Sequence, residues 1–170
     1  MKKFCFYSTV VTVFISLLFS SCEYQKKDPL FAGSWKFSEN IVAGDLVYNT
    51  TRYLTLTKDT YEEIFIVQRE SSGLIAGIFG TKGKLAFSRY YMVFRLEELG
   101  TCVRDQSDAC TEAVQWFGEG TLYWTENSPY FESTVKGEFE AGESTLYLKR
   151  DLNNDNDTDD TGEDIKFERI

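Results

Sequence analysis

Histidine is missing from all 170 residues. Its absence excludes Ser-His-Asp and Cys-His nucleophile systems and every imidazole–metal site. Phosphate-cradling patterns are missing too. No G-x-x-x-x-G-K-[ST] or G-x-G-x-x-G run opens a helix, so nucleotide chemistry has no support. Prolines number only two, and beyond residue 22 no helix is expected. Basic residues are outnumbered, 18 against 27 acidic, for a net charge of −9. An acidic surface repels phosphate backbones, which excludes nucleic acid as a partner. So many acids leave a carboxylate pair open as an alternative, but the adjacent ones do not form it. Glu62 and Glu63 are adjacent, as are Glu97 and Glu98, so on a strand each couple splits between opposite faces. Glycoside hydrolysis needs two carboxylates flanking one bond. The chain is expected not to be an enzyme.

What is present begins with an export segment. Met1-Lys2-Lys3 is positive, and residues 4–22 carry no charge, with an apolar centre over residues 10–19. This is the pattern of a secretory signal. The 19 uncharged residues could also just span a bilayer as a retained helix. Removing residues 1–21 takes away two lysines and no acid, leaving 16 basic and 27 acidic residues and a net charge of −11. Such a surface does not seek anionic headgroups. Two of the four cysteines lie in or at the edge of the export segment, leaving Cys102 and Cys110 around the mostly polar residues 103–109. In an exported chain this pair is most simply a disulfide, worth about 2–3 kcal/mol on chain-entropy grounds. Two free thiols are the alternative, since zinc would need further nitrogen or sulfur ligands.

The clearest structural signal is residues 130–148. Ser133, Val135, Gly137 and Phe139 fall on one side, and Glu132, Thr134, Lys136, Glu138 and Glu140 on the other. A period of two with charge on one face reads as a half-buried strand. Ala141-Gly142-Glu143 supplies a turn, and the return strand puts Leu146 and Leu148 inside. One hairpin cannot bury its apolar face alone, so several must close on each other. Further strands are expected over residues 53–57, 60–68, 74–81, 84–88 and 90–99. Residues 113–117 are expected to pair with 121–125 across Gly118-Glu119-Gly120. A last strand places Ile165 and Phe167 on one face. Residues 40–49 read as a loop, and Ile64-Phe65-Ile66-Val67 is apolar on both faces, which calls for cover on both sides. About nine or ten short strands with regular turns indicate an all-β barrel or sandwich.

Between the last strands, Asp151, Asn153, Asp155 and Asp157 recur at every other position, as oxygen ligands do in calcium loops. Asn156 stands where an EF-hand has glycine, and Gly162 where it has glutamate. Weak calcium binding and a solvated hairpin loop are the two readings. No other cofactor is expected.

Leu17-Leu18-Phe19-Ser20-Ser21-Cys22 resembles the lipobox of bacterial lipoproteins, although Phe19 stands where that box usually has leucine. The resemblance implies a signal peptide over residues 1–21, acyl chains on Cys22, and a tether over residues 22–29. It also implies a bacterial cell-envelope location. One fatty chain holds a protein poorly and two or three hold it firmly.

Gly33-Ser34-Trp35, followed by this train of hairpins, resembles the lipocalin and wider calycin families, most closely the lipocalin-like domains of bacterial lipoproteins. Those domains begin G-x-W and finish with a glycine–aromatic hairpin, a leucine pair and a strand ending aromatic-x-Arg. Here these are Gly137 and Phe139, Leu146 and Leu148, and Phe167-Glu168-Arg169. The resemblance implies that residues 30–170 form a small antiparallel up-and-down β-barrel. Its first and last strands would meet at Gly33, Trp35 and Arg169, with the guanidinium over the indole. Phe65, Phe79, Phe87, Phe94, Trp116, Trp124 and Phe139 would then line a ligand cavity, or fill the interior completely. The expected function is a lipid-anchored module binding a small apolar ligand. The rival is a non-enzymatic barrel with a filled core that contacts another protein as scaffold, inhibitor or adhesin.

Overall fold

Alternating side chains fold the chain into nine strands, as a computed structural model describing residues 28–106, 108–152 and 163–170 makes plain. The strands are β1 (Gly33–Ala43), β2 (Leu46–Leu56), β3 (Thr60–Arg69), β4 (Ile75–Phe87), β5 (Tyr91–Arg104), β6 (Cys110–Gly118), β7 (Thr134–Ala141), β8 (Thr145–Arg150) and β9 (Asp164–Arg169). One short helix, α1 (Leu122–Asn127), and a 3₁₀ turn (Ser128–Tyr130) lie between β6 and β7. All pairings are antiparallel, and eight strands close into a barrel. Closure joins β1 to β9, with Trp35 opposite Arg169, so no barrel edge is left open there.

Closure turns on β5. One edge of it pairs with β4 from Phe87↔Met92 to Phe79↔Thr101. Along the other edge, residues 91–95 pair with β7 and residues 98–104 with β6. β6 therefore extends the wall on one flank rather than belonging to the closed ring.

The two ends of the barrel differ. At one end, Trp35, Leu54, Met92, Leu146 and Phe167 are fully buried with Leu56, Leu148 and Ile165. Trp35 Nε1 donates to the Phe31 carbonyl at 2.8 Å. Phe31 lies across this end, with its ring edge-on to Phe87 at 4.7 Å and Phe139 at 5.6 Å. Burying a large aromatic stabilises by about 1.5–3 kcal/mol, so this plug is the energetic centre of the fold. The other end is open.

Several sequence expectations need correction. Residues 40–49 are not a loop: β1 and β2 pair out to Ala43↔Leu46, leaving a two-residue turn, because Ile41, Val42 and Val47 sustain the ladder. The strands expected over 74–81 and 84–88 are one strand, bent by a register shift between Lys82 and Gly83. Residues 121–125 do not pair with β6. Thr121 instead caps α1, its hydroxyl accepting from Trp124 N at 3.2 Å, and β6 finds its partner in β5. The strand expected from residue 130 begins at Thr134, because Pro129 lies in the 3₁₀ turn. Cover over residues 64–67 is incomplete: all four are half-buried, and Phe65 on the inner face borders a cavity.

Candidate functional site

Strand phase places three charged residues inside the barrel. Arg52 alternates with Leu54 and Leu56 on β2, Glu63 with Tyr61 and Phe65 on β3, and Arg150 with Leu146 and Leu148 on β8. Arg150 donates from Nη1 and Nη2 to the two Glu63 carboxylate oxygens at 2.6 and 2.8 Å. Arg52 Nη1 stands 3.8 Å from the same carboxylate, and its guanidinium lies over the Phe65 ring at 5.0 Å. The Arg150 guanidinium lies over Phe94 at 5.5 Å. Aromatic faces thus offset part of the cost of taking the guanidinia out of water.

The electrostatics follow from this packing. Burial alone would push the Glu63 carboxyl up, but the Arg150 charge, its hydrogen bonds and Arg52 outweigh it and hold the group below the ordinary carboxylate value. Burial opposes the charged form of Arg150, and Glu63 more than restores it. Arg52 shares that carboxylate at longer range, and desolvation leaves its pKa lowered. Burial also raises the Tyr61 hydroxyl to about 12.

This polar cluster is the floor of a cavity of about 380 Å³ opening at the unplugged end. Its walls are Phe65, Phe79, Phe94, Leu96 and Val135. Tyr130, Phe131 and Glu132, just past α1, and Leu152, just past β8, border it. α1 is held over the inner face of the β5–β6 flank by the Phe117–Tyr123 ring stack at 4.5 Å. The base of the loop between β8 and β9 is pinned as well. Leu152 N donates to Glu163 Oε1 at 2.7 Å and Arg150 N to the Glu163 carbonyl at 2.8 Å.

Of the seven aromatics expected at a cavity, Phe65, Phe79 and Phe94 line it. Phe87 and Phe139 pack edge-on against Phe31 at the plugged end, with Phe87 still 44 % exposed. Trp116 lies on the opposite sheet face from Phe79 and Thr81, flat over Gly80 and Gly100, where a β-carbon at either glycine would come within 3 Å of the indole. Lys82 stacks on it at 4.7 Å. Trp124 is half-buried on α1 and does not line the cavity. For the three strand residues the physical reason is common: sequence marks a residue as apolar, but strand phase and the depth along the barrel decide which space it fills, whereas Trp124 lies on a helix where a strand was expected.

The guanidinium of Arg169 lies 4.2 Å from the Trp35 ring centroid, and Cys102 and Cys110 form a disulfide with Cα atoms 5.5 Å apart. The signal segment over residues 1–21, Cys22, Asn153, Asp155 and Asp157 lie outside the described residues. Among the described residues no three acidic or thiol side chains gather as a metal site, and no helix is long and apolar enough to cross a membrane. Sequence reasoning missed Arg52, Glu63 and Arg150. Their signal was in plain reach: ionised residues of opposite sign in phase with the buried residues on three strands.

No protein-family model matches the chain, and no curated protein matches it.

Proposed function

We propose that this chain is a lipocalin-like lipoprotein of the bacterial cell envelope, held to a membrane by acyl chains on Cys22. Its barrel takes up one small ligand rather than catalysing a reaction. The observation that supports binding is the open cavity of about 380 Å³ with aromatic walls and a charged floor. That volume lies within the range of small-molecule sites, toward its lower end. The lining refines the ligand class. A wholly apolar molecule would leave the Arg52–Glu63–Arg150 floor desolvated without new partners, which costs free energy. The fitting ligand has an apolar body for Phe65, Phe79 and Phe94 and a hydrogen-bonding end for the floor.

Native mass spectrometry of the protein purified from its own cells tests this, with a co-purifying small molecule as the expected result. Val135→Trp, which fills the cavity wall, should abolish that mass. A ligand-free wild type that also shows no saturable binding of a fluorescent amphiphile would overturn the reading.

One observation favours the rival protein-binding role. Val42, Leu74, Leu122 and Tyr130, all exposed, stand at the open end. Under that reading the mouth is a contact surface, and polar substitutions at Val42, Leu74 and Leu122, which do not line the cavity, would release a protein partner while leaving amphiphile binding intact.

A further inference from the structure

We infer that the plugged end of the barrel seats against the bilayer that anchors the chain, so that the cavity opens away from the membrane. This rests on the lipid-anchor reading of Cys22 given above and adds to it an orientation and a contact surface.

Three observations carry it. First, the described chain starts at the plugged end. Residues 28–32 lead directly into β1, with Ala32 N bonded to the Pro29 carbonyl at 2.8 Å, and Phe31 is 3 % exposed within the plug. Seven residues lie between Cys22 and Leu30, which makes eight chain steps, and an extended chain spans at most about 3.3–3.6 Å per residue. The plugged end is therefore tied within about 30 Å of the acyl chains, while the mouth lies a strand length further off.

Second, that end carries an apolar patch that the fold leaves exposed. Leu30, Phe87 and Tyr90 are 51 %, 44 % and 59 % exposed. They are neighbours, because Phe31 packs on Phe87 and a groove runs between Leu30, Phe31, Tyr90 and Phe139. Tyrosine is a residue of membrane interfaces, and Arg89, whose guanidinium lies 5.2 Å from the Tyr90 ring, can lay its stem on apolar surface with its charge in the headgroups.

Third, charge limits the depth. Lys58, Asp59, Glu140 and Glu143 are exposed at the same end, and charged side chains resist the hydrocarbon region. The patch suits shallow contact at headgroup level, where apolar burial adds to the hold of the acyl chains. The net negative chain gains little from anionic lipid, so the occupant is the bilayer interface rather than a charged headgroup site.

The test uses the full-length acylated protein in phosphatidylcholine vesicles, with a nitroxide on Ser88→Cys at the plugged end or Ser72→Cys at the mouth. Collision with dissolved oxygen and with an aqueous nickel chelate reads membrane proximity. The expected result is a several-fold lower nickel accessibility at residue 88 than at residue 72. The double variant Leu30→Ser with Tyr90→Ser should raise it at residue 88 without loss of vesicle flotation. Equal nickel accessibility at the two labels in floating protein overturns the seating while leaving the anchor standing. Shielding of residue 88 that persists in a Cys22→Ser variant, which carries no acyl chains, in buffer without vesicles or detergent means that a second copy covers the patch, and overturns it likewise. Failure of the wild type to float overturns the anchor reading and the seating together.

Discussion

Arg150 and Glu63 lie 87 residues apart in sequence and meet across the inside of the barrel through two parallel hydrogen bonds. They tie β8 to β3, which are not neighbours in the sheet, so the bridge sets the width of the barrel where the packed plug gives way to the cavity.

Removing one partner should be costly. Glu63→Leu or Arg150→Met leaves a buried charge with its compensation gone, and about 3–5 kcal/mol of stability should be lost. The double variant Glu63→Leu with Arg150→Met should recover part of that, because an apolar pair can replace a buried ion pair, while Arg52 still loses the carboxylate it shares. Urea midpoints of the four proteins measure the coupling. Purely additive losses would mean that the bridge does not link the two strands.

Acid should erode the same contribution. The folded-state pKa of Glu63 is depressed, so its stabilisation is complete above the unfolded value, about 4.3 for glutamate. It disappears as pH falls through the lower folded value. The stability gap between wild type and Glu63→Gln should therefore narrow steadily once pH drops below about 4. A gap independent of pH in denaturant titrations would contradict the assignment.

The alkaline limb belongs to Tyr61. Its hydroxyl is raised to about 12, so the unfolded chain releases this proton first. Stability is then lost as pH climbs from about 10, the unfolded tyrosine value, toward the folded one. Tyr61→Phe should flatten that loss and remove the last part of the tyrosinate absorbance titration.

At the plug, Arg169 combines the Trp35 stack with hydrogen bonds to three carbonyls, those of Glu143 at 2.6 Å, Ala32 at 3.0 Å, and Leu30. Arg169→Ala should cost about 1–3 kcal/mol, and Arg169→Lys should rescue little, because one ammonium cannot reproduce the planar fork. Gly33 makes room for it. Its φ is +140°, and a β-carbon there would approach Arg169 Nη1 to 2.5 Å. Gly33→Ala should cost a comparable free energy, read as a lowered melting temperature.

Breaking the Cys102–Cys110 bridge with Cys102→Ser should cost about 2–3 kcal/mol. Cys102 shares a sheet face with Trp116, not with the cavity, so amphiphile binding should survive the loss. Parallel loss of binding would show that the β5–β6 flank shapes the site.

The barrel was legible in the sequence wherever one face met the core and the other met water. Val135, Gly137 and Phe139 opposite Lys136 and Glu138, then Leu146 and Leu148, stand in the phase their alternation indicates. So do Ile165 and Phe167. Legibility failed where a local motif outbid the ladder, as Thr121 did by capping α1, and where phase placed ions inside, as on β2, β3 and β8. Composition reads Glu63 as surface; only its position between Tyr61 and Phe65 reveals that it faces inward. The loop holding Asn153, Asp155 and Asp157 lies beyond the described residues, so the calcium reading stays with the sequence.

Strand β5 gives one edge to two successors, β7 along residues 91–95 and β6 along residues 98–104. Residues 119–133 connect the two, joined to β5 by the bond from Leu96 N to the Ser133 carbonyl and to β6 by the Phe117–Tyr123 stack. That stretch of the flank is therefore built outside the strand ladder, and its side chains can be exchanged without unzipping a strand pair.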